Sequence, residues 1–170
     1  MNRIQIDVAQ QRLSVLDERG NLFAQYPVST ALLGTGQQQG SFQTPLGRHV
    51  VAEKIGAGAP LYAVFRARQL TGEIWTAAHS AAEPDRDWIL TRILWLAGAE
   101  PGRNQGGDVD TLVRYIYIHG TSDEHLLGQP VSHGCIRMSN RDVMNLFDAI
   151  DVGSIVDVVT GEPEGERSES

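Results

Sequence analysis

Alternating apolar and polar residues dominate the first thirty positions of the chain. Ile4, Ile6 and Val8 alternate with polar neighbours, and after a short polar turn the alternation returns at Leu13 and Val15. This period of two predicts two half-buried strands joined as a hairpin. A further turn and an apolar segment extend the prediction to a third strand, so the chain is expected to begin as an antiparallel meander.

Later segments predict more strands and one helix. Strands are expected over residues 48–54, 61–68, 88–97 and 154–160. Period alone does not separate a strand from a short helix over the run WILTRILWLA, whose bulky and β-branched residues favour the strand. Near the C-terminus, Ser139 and Asp142 are spaced as in a capping box. Val143, Phe147 and Ile150 then recur at helical spacing, which predicts a helix.

Composition favours a single, mainly β domain. The chain has 170 residues, of which 41% are hydrophobic and 21% charged, and its 18 glycines and 7 prolines indicate many turns. We expect one domain over residues 1–160. The charged stretch GEPEGERSES, residues 161–170, lacks apolar anchors and predicts a disordered tail.

Charge and hydropathy argue against several classes of partner. The formal net charge of −7 gives no electrostatic footprint for nucleic acid or for an anionic membrane. The longest apolar run, residues 93–99, is far too short to span a bilayer, and the N-terminus lacks the continuous apolar region of a secretory signal. A cytoplasmic location is therefore expected, although a periplasmic protein whose signal had been removed would look similar.

The candidate chemistry is concentrated in residues 115–138, YIYIHGTSDEHLLGQPVSHGCIRM. This segment contains the only cysteine, Cys135, and three of the five histidines, His119, His125 and His133. A neighbouring imidazole can take the proton of a thiol, hold the pair as thiolate and imidazolium, and return the proton to a leaving group. His119 ends an apolar strand and is better suited to face the thiol than His133, which lies two residues before it.

Residues beside the cysteine complete the candidate site. Gly134 allows a tight turn that would direct the amides of residues 133–135 towards one point as an oxyanion hole. Arg137, two residues after the cysteine, is a candidate ligand for a substrate carboxylate. Tyr117 is a further candidate for the wall of the cleft.

Other interpretations of these residues stay open at this point. A lone cysteine is most often a small buried hydrophobe. His119, His133 and Cys135 could instead ligate zinc, but neither a CxxC nor an HExxH pattern is present, so no metal is predicted. The loop GTGQQQG is followed by no helical pattern, and no cofactor is predicted either. His49 and His79 either line the cleft or are structural, and the three tryptophans receive no role.

The motif SHGCIRM, preceded by IHG, resembles the active-site signature of the L,D-transpeptidase (YkuD-type) catalytic domain. The similarity extends to the opening hairpin with Gln11, the YPVST strand, the TPLG turn and the final helix and strand. It covers roughly residues 2–160. The resemblance implies a mainly β, sandwich-like sheet arrangement with a helix packed against it near the C-terminus.

The same resemblance implies roles for individual residues. Cys135 would be the nucleophile that forms an acyl-enzyme, His119 its general base, and the Gly120 carbonyl the group that orients His119. Arg137 stands where the family often has Asn. The pocket, including its oxyanion-binding amides, would be shaped by Ser132, His133 and Gly134 together with the cysteine.

The resemblance also implies a substrate, the stem peptide of bacterial peptidoglycan or a free muropeptide, cut between a diamino acid and D-alanine. With water as acceptor the enzyme would be an L,D-carboxypeptidase that trims tetrapeptides in muropeptide recycling, and the apparent lack of an export signal favours this outcome. The alternatives are an L,D-transpeptidase that forms cross-links and a non-catalytic muropeptide-binding module. No S-x-x-K motif is present, which excludes the serine mechanism of penicillin-binding proteins.

Overall fold

A computed structural model describes residues 1–161 of the chain. Within this span the strands are β1 (Arg3–Asp7), β2 (Arg12–Leu16), β3 (Leu22–Pro27), β4 (Gly47–Ile55), β5 (Ala63–Arg66), β6 (Gln69–Ile74), β7 (Ile89–Gly98), β8 (Tyr117–Gly120), β9 (Ile136–Met138) and β10 (Ile155–Val159). The α-helices in the same span are α1 (Ala77–Ala82) and α2 (Asn140–Ala149). Of the tail expected over residues 161–170, all but Gly161 lies outside the described residues.

The strands form one curled sheet in the order β3-β2-β1-β10-β4-β7-β5-β6, with β8 joined to β7 and β9 joined to β8. The expected meander is confirmed, because β1–β2 and β2–β3 pair antiparallel. Two pairs are parallel, β1 with β10 and β8 with β9. Residues Ile93–Trp95 pair with both β4 and β8, so these two strands lie along opposite edges of β7.

The two faces of the sheet differ around β7 and β8. Leu94 and Ile118 face the main hydrophobic core, which also contains the apolar residues of β1, β2 and β10. Because side chains alternate along a strand, their neighbours Ile93 and Tyr117 face the other side. There they form a second, smaller cluster against which the cysteine packs.

Helix α2 covers the main core near the C-terminus, as predicted. Ser139 Oγ accepts the N–H of Asp142 at 3.1 Å, which is the Ser139 half of the predicted capping box. The helix buries Val143, Leu146 and Phe147, and burial of a large apolar side chain stabilises a fold by roughly 1.5–3 kcal/mol. The amphipathic pattern predicted this helix correctly because one face of the helix is buried in the core.

The mainly β fold class and the strand over 88–97 are confirmed, whereas β6, α1 and the three-residue strand β9 were not predicted. β6 is exposed at every position and lies at an edge of the sheet, so no burial imposed alternation on its sequence. α1 contains no buried residue and therefore has no apolar stripe. Neither α1 nor α2 has the length and apolar character that crossing a membrane requires.

Candidate active site

Cys135, His119 and Arg137 lie on the face of the sheet away from the main core. The parallel pairing of β8 and β9 aligns Ile118 with Ile136, which are both buried in that core, and aligns His119 with Arg137. Cys135 precedes β9 and has the same parity as Arg137, so alternation directs it to the same face as His119. The structure thus brings the predicted nucleophile and base onto one face of two adjacent strands.

The thiol of Cys135 contacts the main chain of the segment before β8. The Tyr117 N–H donates to Sγ at 3.3 Å, and Sγ lies 3.4 Å from the Tyr115 carbonyl oxygen, which can accept the thiol proton. Burial raises the pKa of Cys135 to about 12, and the Tyr117 N–H acts in the opposite direction. The thiol is therefore protonated at neutral pH.

His119 is held at one ring nitrogen and has no partner at the other. Its Nδ1 donates to the Gly120 carbonyl at 2.7 Å, which leaves the lone pair on Nε2. Nε2 is buried and has no hydrogen-bond partner among residues 1–161. Burial also lowers the pKa of His119, so the resting pair is a neutral thiol and a neutral imidazole and not the thiolate–imidazolium pair that the sequence offered as a possibility.

The peptide at Gly120 is tightly enclosed. A Cβ at this position would overlap with Asn140 Oδ1 and with the Leu90 carbonyl oxygen, which is why glycine is required there. Asn140 Nδ2 donates to the Thr121 carbonyl at 2.9 Å, and its Oδ1 accepts the Thr91 hydroxyl. The carbonyl that orients His119 therefore has a rigid, fully buried support.

The SHGC loop is fixed by hydroxyl groups on both sides of Gly134. Ser132 Oγ donates to the Cys135 carbonyl at 2.6 Å and accepts the Gly134 N–H at 3.2 Å. Thr44 Oγ1, from the TPLG turn, donates to the Gly134 carbonyl at 2.9 Å. The oxyanion hole stays a prediction, and because the Gly134 amide already donates to Ser132, such a hole would have to use the N–H groups of His133 and Cys135.

Arg137 is bound by acidic side chains that sequence reasoning did not identify. Its guanidinium donates to Asp87 Oδ1 at 3.0 Å and lies 3.6 Å from Asp123 Oδ2, and its side chain is 6% exposed. Its Nε is buried without a partner among residues 1–161. A substrate carboxylate at Arg137, which stays a prediction, would have to use Nε or compete with Asp87.

His133 and Tyr117 occupy different environments from each other. The His133 side chain is 61% exposed, with Nδ1 3.8 Å from Asp87 Oδ2. Tyr117 is 5% exposed, and its ring belongs to the second apolar cluster, against which Cys135 packs. Its N–H donates to the cysteine sulfur. The role of Tyr117 in the wall of the cleft stays a prediction.

Two shallow grooves meet at His133. One, of about 310 Å³, is lined on its apolar side by Phe42, Val113, Tyr115 and Ile116. The other, of about 240 Å³, is lined by charged residues that include Asp85, Asp87, Asp123 and Arg137. The SHGC loop thus separates a groove with an apolar side from a groove lined by charged residues of both signs.

His49 and His79 make structural contacts, whereas His125 is exposed. His49 is fully buried in β4 and bonds to the Gly47 carbonyl and Thr111 Oγ1, both at 3.0 Å. His79 lies on α1, where Nδ1 accepts the Thr76 N–H at 3.1 Å and the ring packs edge-on against Trp88. No group of three or more His, Cys, Asp or Glu side chains within residues 1–161 is arranged to hold a metal ion.

The geometry and the motif are those of one enzyme family. The model of the family described as "YkuD: L,D-transpeptidase catalytic domain" matches residues 1–158. The chain belongs to the L,D-transpeptidase catalytic domain family.

Relatives and solved structures agree with this assignment. The chain is 40% identical over 60 residues to "Probable L,D-transpeptidase YbiS" of Escherichia coli, covering 32% of this chain and 20% of YbiS. It is 41% identical over 58 residues to "Probable L,D-transpeptidase ErfK/SrfK" of E. coli, covering 31% and 19%. The match therefore spans about a fifth of the length of these relatives.

The fold is shared with solved L,D-transpeptidases. L,D-transpeptidase 3 of Mycobacterium tuberculosis, in complex with a faropenem-derived adduct, superposes with a TM-score of 0.56 at 18% identity, over 93% of this chain and 60% of that one. An L,D-transpeptidase of Mycobacterium smegmatis gives a TM-score of 0.54 at 18% identity, over 92% and 58%. At this identity the likeness establishes the fold.

Proposed function

We propose that this protein is a cysteine-dependent acyl-enzyme that cleaves peptidoglycan stem peptides before the terminal D-alanine. The observation that carries this proposal is the buried, unpartnered Nε2 of His119 on the same face as Cys135, with Nδ1 fixed by the Gly120 carbonyl. A free imidazole lone pair in a dry site is what a general base for a thiol requires.

The neutral resting pair implies that proton transfer accompanies attack. As Cys135 Sγ forms a bond to the scissile carbonyl carbon, its proton passes to His119 Nε2, and the carbonyl oxygen becomes an oxyanion. The amides of His133 and Cys135 are the donors that the loop can offer to this oxyanion. The C–N bond then breaks, the imidazolium returns its proton to the amine of D-alanine, and a thioester remains on Sγ.

Hydrolysis of the thioester completes the proposed L,D-carboxypeptidase reaction. His119 takes a proton from the attacking water, the tetrahedral intermediate collapses, and the proton returns to the Cys135 sulfur as the trimmed tripeptide leaves. Water as acceptor follows from the expected cytoplasmic location, in which muropeptides are recycled. That location is itself a prediction, which fractionation of cells expressing the protein would check.

Cross-linking is the second candidate function. The charged groove beside His133 carries the carboxylates of Asp85, Asp87 and Asp123 against the guanidinium groups of Arg86 and Arg137, and this small excess of negative charge would attract a cationic amine acceptor. An amine in place of water would attack the thioester and form a new peptide bond. The two outcomes share every step up to the acyl-enzyme.

The deciding experiment follows the products formed from a tetrapeptide muropeptide. The proposed function predicts release of D-alanine with tripeptide as the main product, whereas dominant dimer formation would establish cross-linking. Cys135→Ala should abolish both products, and Tyr26→Phe, which removes only a hydroxyl on β3, is the matched control. Unaltered turnover by Cys135→Ala would refute the acyl-enzyme.

A non-catalytic muropeptide-binding module is tested in the same assay, because it predicts binding without any product. An independent check uses a β-lactam, since related proteins have been solved with imipenem bound and with a faropenem-derived adduct. Incubation with imipenem should add its mass to Cys135 and leave Cys135→Ala unmodified.

A further inference from the structure

The turn between β5 and β6 has an unusual backbone. Ala67 and Arg68 both have positive φ, 48° and 65°, although neither is glycine. Two consecutive left-handed residues suit a two-residue hairpin turn, but residues other than Gly, Asn and Asp adopt this conformation at a cost. Strained turns of this kind persist where surrounding contacts hold them, and they are common at functional sites.

The contacts that hold this turn come from Arg68. Its Nη1 donates to the Tyr117 hydroxyl at 2.9 Å. Its guanidinium lies 4.9 Å from the centre of the Trp95 ring and 4.8 Å from that of Tyr115. One cation therefore joins three aromatic side chains.

The three rings also contact one another. The centroid of Trp95 lies 5.9 Å from that of Tyr115 and 5.8 Å from that of Tyr117, the latter in an edge-on arrangement. Trp95 is anchored in turn, because its Nε1 donates to the Leu112 carbonyl at 3.1 Å. The cluster is thus a continuous connection between the β5–β6 turn and the segment before β8.

That segment supplies the main-chain groups on either side of the candidate nucleophile. The Tyr117 N–H points at Cys135 Sγ, and the Tyr115 carbonyl accepts from it. Any movement of these two residues therefore moves the hydrogen-bond environment of the sulfur directly.

We propose that Arg68 is a positioning residue that holds Tyr115 and Tyr117 in place and so fixes the Tyr117 N–H against Cys135 Sγ. The consequence of this role for catalysis rests on the proposed function, whereas the effect of Arg68 on the thiol is independent of that function. As the thiol loses its proton, negative charge develops on sulfur, and a fixed N–H donor stabilises that charge more than a mobile one. Arg68 acts through the main chain and touches no reacting atom.

Packing explains β5 of this hairpin but does not explain β6 or the turn. Ala63 and Phe65 of β5 are buried in the second apolar cluster, whereas β6 is exposed along its whole length and Arg66 is also exposed. Arg68 gives the turn a direct connection to the tyrosines beside the candidate nucleophile.

The test measures the reactivity of Cys135 towards iodoacetamide, which the single cysteine makes unambiguous by mass spectrometry. Arg68→Ala should lower the alkylation rate about five- to tenfold between about pH 6 and pH 10, because the charge-stabilising donor is loosened. Arg68→Lys keeps the positive charge but lacks the planar guanidinium group, and its alkylation rate should lie between those of Arg68→Ala and the unaltered protein. Tyr117→Phe removes one of the contacts and should give a smaller loss.

Arg66→Ala is the matched control, since it removes a cation from the same hairpin without contacts to the cluster. It should react as the unaltered protein does. Equal rates for Arg68→Ala and Arg66→Ala would overturn the proposal, and so would full recovery by Arg68→Lys, which would indicate an effect of charge alone.

Release of D-alanine separates this proposal from the function on which it draws. If the unaltered protein turns over no substrate, the proposed function fails, while the alkylation rates still decide the role of Arg68. If the protein is active, Arg68→Ala should lower kcat by the same factor as the alkylation rate with little change in KM.

Discussion

The hydroxyl of Thr91 donates a hydrogen bond of 2.6 Å to Oδ1 of Asn140, directly beneath the peptide that holds His119. Thr91 has a φ of +73°, a rare conformation for a β-branched residue, and it lies in the irregular part of β7 between Leu90 and Ile93. Its Oγ1 also accepts the Tyr62 N–H at 2.9 Å. The strained backbone of Thr91 therefore lies at a buried contact with Asn140, and this contact supports the candidate base His119.

Disruption of this junction should impair both the folding of the protein and the function of His119. Thr91→Val leaves Asn140 Oδ1 and the Tyr62 N–H without their partner, which we expect to cost about 2 kcal/mol of unfolding free energy and to lower kcat about tenfold. Urea unfolding and the D-alanine assay measure the two effects. Thr91→Ser keeps the hydroxyl and should retain most of the activity; an equally inactive serine variant would contradict the assignment.

Thr44 links the TPLG turn to the SHGC loop, and its hydroxyl should matter for turnover. Thr44→Val is nearly isosteric but removes the bond to the Gly134 carbonyl and the acceptor for the Ala31 N–H, which is 3.0 Å from Oγ1. We expect a loss of about 1–2 kcal/mol in stability and about tenfold in kcat/KM, because the loop carries the proposed oxyanion donors.

The contrast with the serine variant tests this explanation. Thr44→Ser preserves both hydrogen bonds and should behave as the unaltered protein does, apart from a small loss of packing. Equal activity of the valine and serine variants would mean that the loop does not depend on Thr44.

Asp87 should restrain the thiol as well as hold Arg137. Burial is the main cause of the shifted pKa values of Cys135 and His119, and the negative charge of Asp87 raises both. In Asp87→Asn the pKa of Cys135 falls, and alkylation by iodoacetamide should become about two- to threefold faster. The pKa of His119 falls too, so the acidic loss of activity moves to lower pH.

Asp123→Asn is the control for this change. Asp123 lies farther from the Arg137 guanidinium, at 3.6 Å against 3.0 Å for Asp87. It should leave the alkylation rate and the pH profile nearly unchanged. Slower alkylation in Asp87→Asn would show that its bond to Arg137, rather than its charge, dominates.

His49 should make the fold sensitive to acid. Burial lowers the pKa of His49 from 6.5 to about 4. Between these two pH values the unfolded chain binds a proton at His49, whereas the folded protein does not. This contribution to stability is present above pH 6.5 and is lost as the pH falls towards 4, by about 3 kcal/mol in total. The lowered pKa of His119 acts in the same direction.

Urea unfolding at about pH 7.5 and about pH 4 measures this loss. His49→Gln should be less stable near neutrality but should lose about 3 kcal/mol less between the two conditions. His79→Gln, on α1, is the control and should keep the full acid sensitivity. An unchanged pH dependence in His49→Gln would refute the assignment.

The sequence predicted those parts of the molecule in which burial of one face imposes a regular spacing of apolar residues. Ile4, Ile6, Leu13 and Val15 are fully buried, and their alternation correctly predicted β1 and β2. The helical spacing of Val143 and Phe147 was correct for the same reason. Cys135 and His119 were identified as candidates because the motif places them close in sequence, and pairing of β8 with β9 does put them on one face.

The supporting residues carry no local signal. Arg68 and Asp87 lie on irregular or exposed segments, and they reach the site only because β7 pairs with β5 and β8 on its two edges. Thr91 is one threonine within an apolar strand, and its left-handed backbone follows from the irregular pairing of β7. The raised pKa of the Cys135 thiol was equally hidden, since it depends on burial that spacing does not reveal.

The position of β10 sets the order in which this protein becomes complete during synthesis. β10 lies between β1 and β4, so these two strands have no partner at this position until residues 155–159 have left the ribosome. Before that point the N-terminal meander can be joined to the rest of the sheet only through the segment after β3, as in the bridge between Ser29 and Arg137. The free edges of β1 and β4 are then open to pairing with other chains, and insertion of the last strand protects the sheet from aggregation.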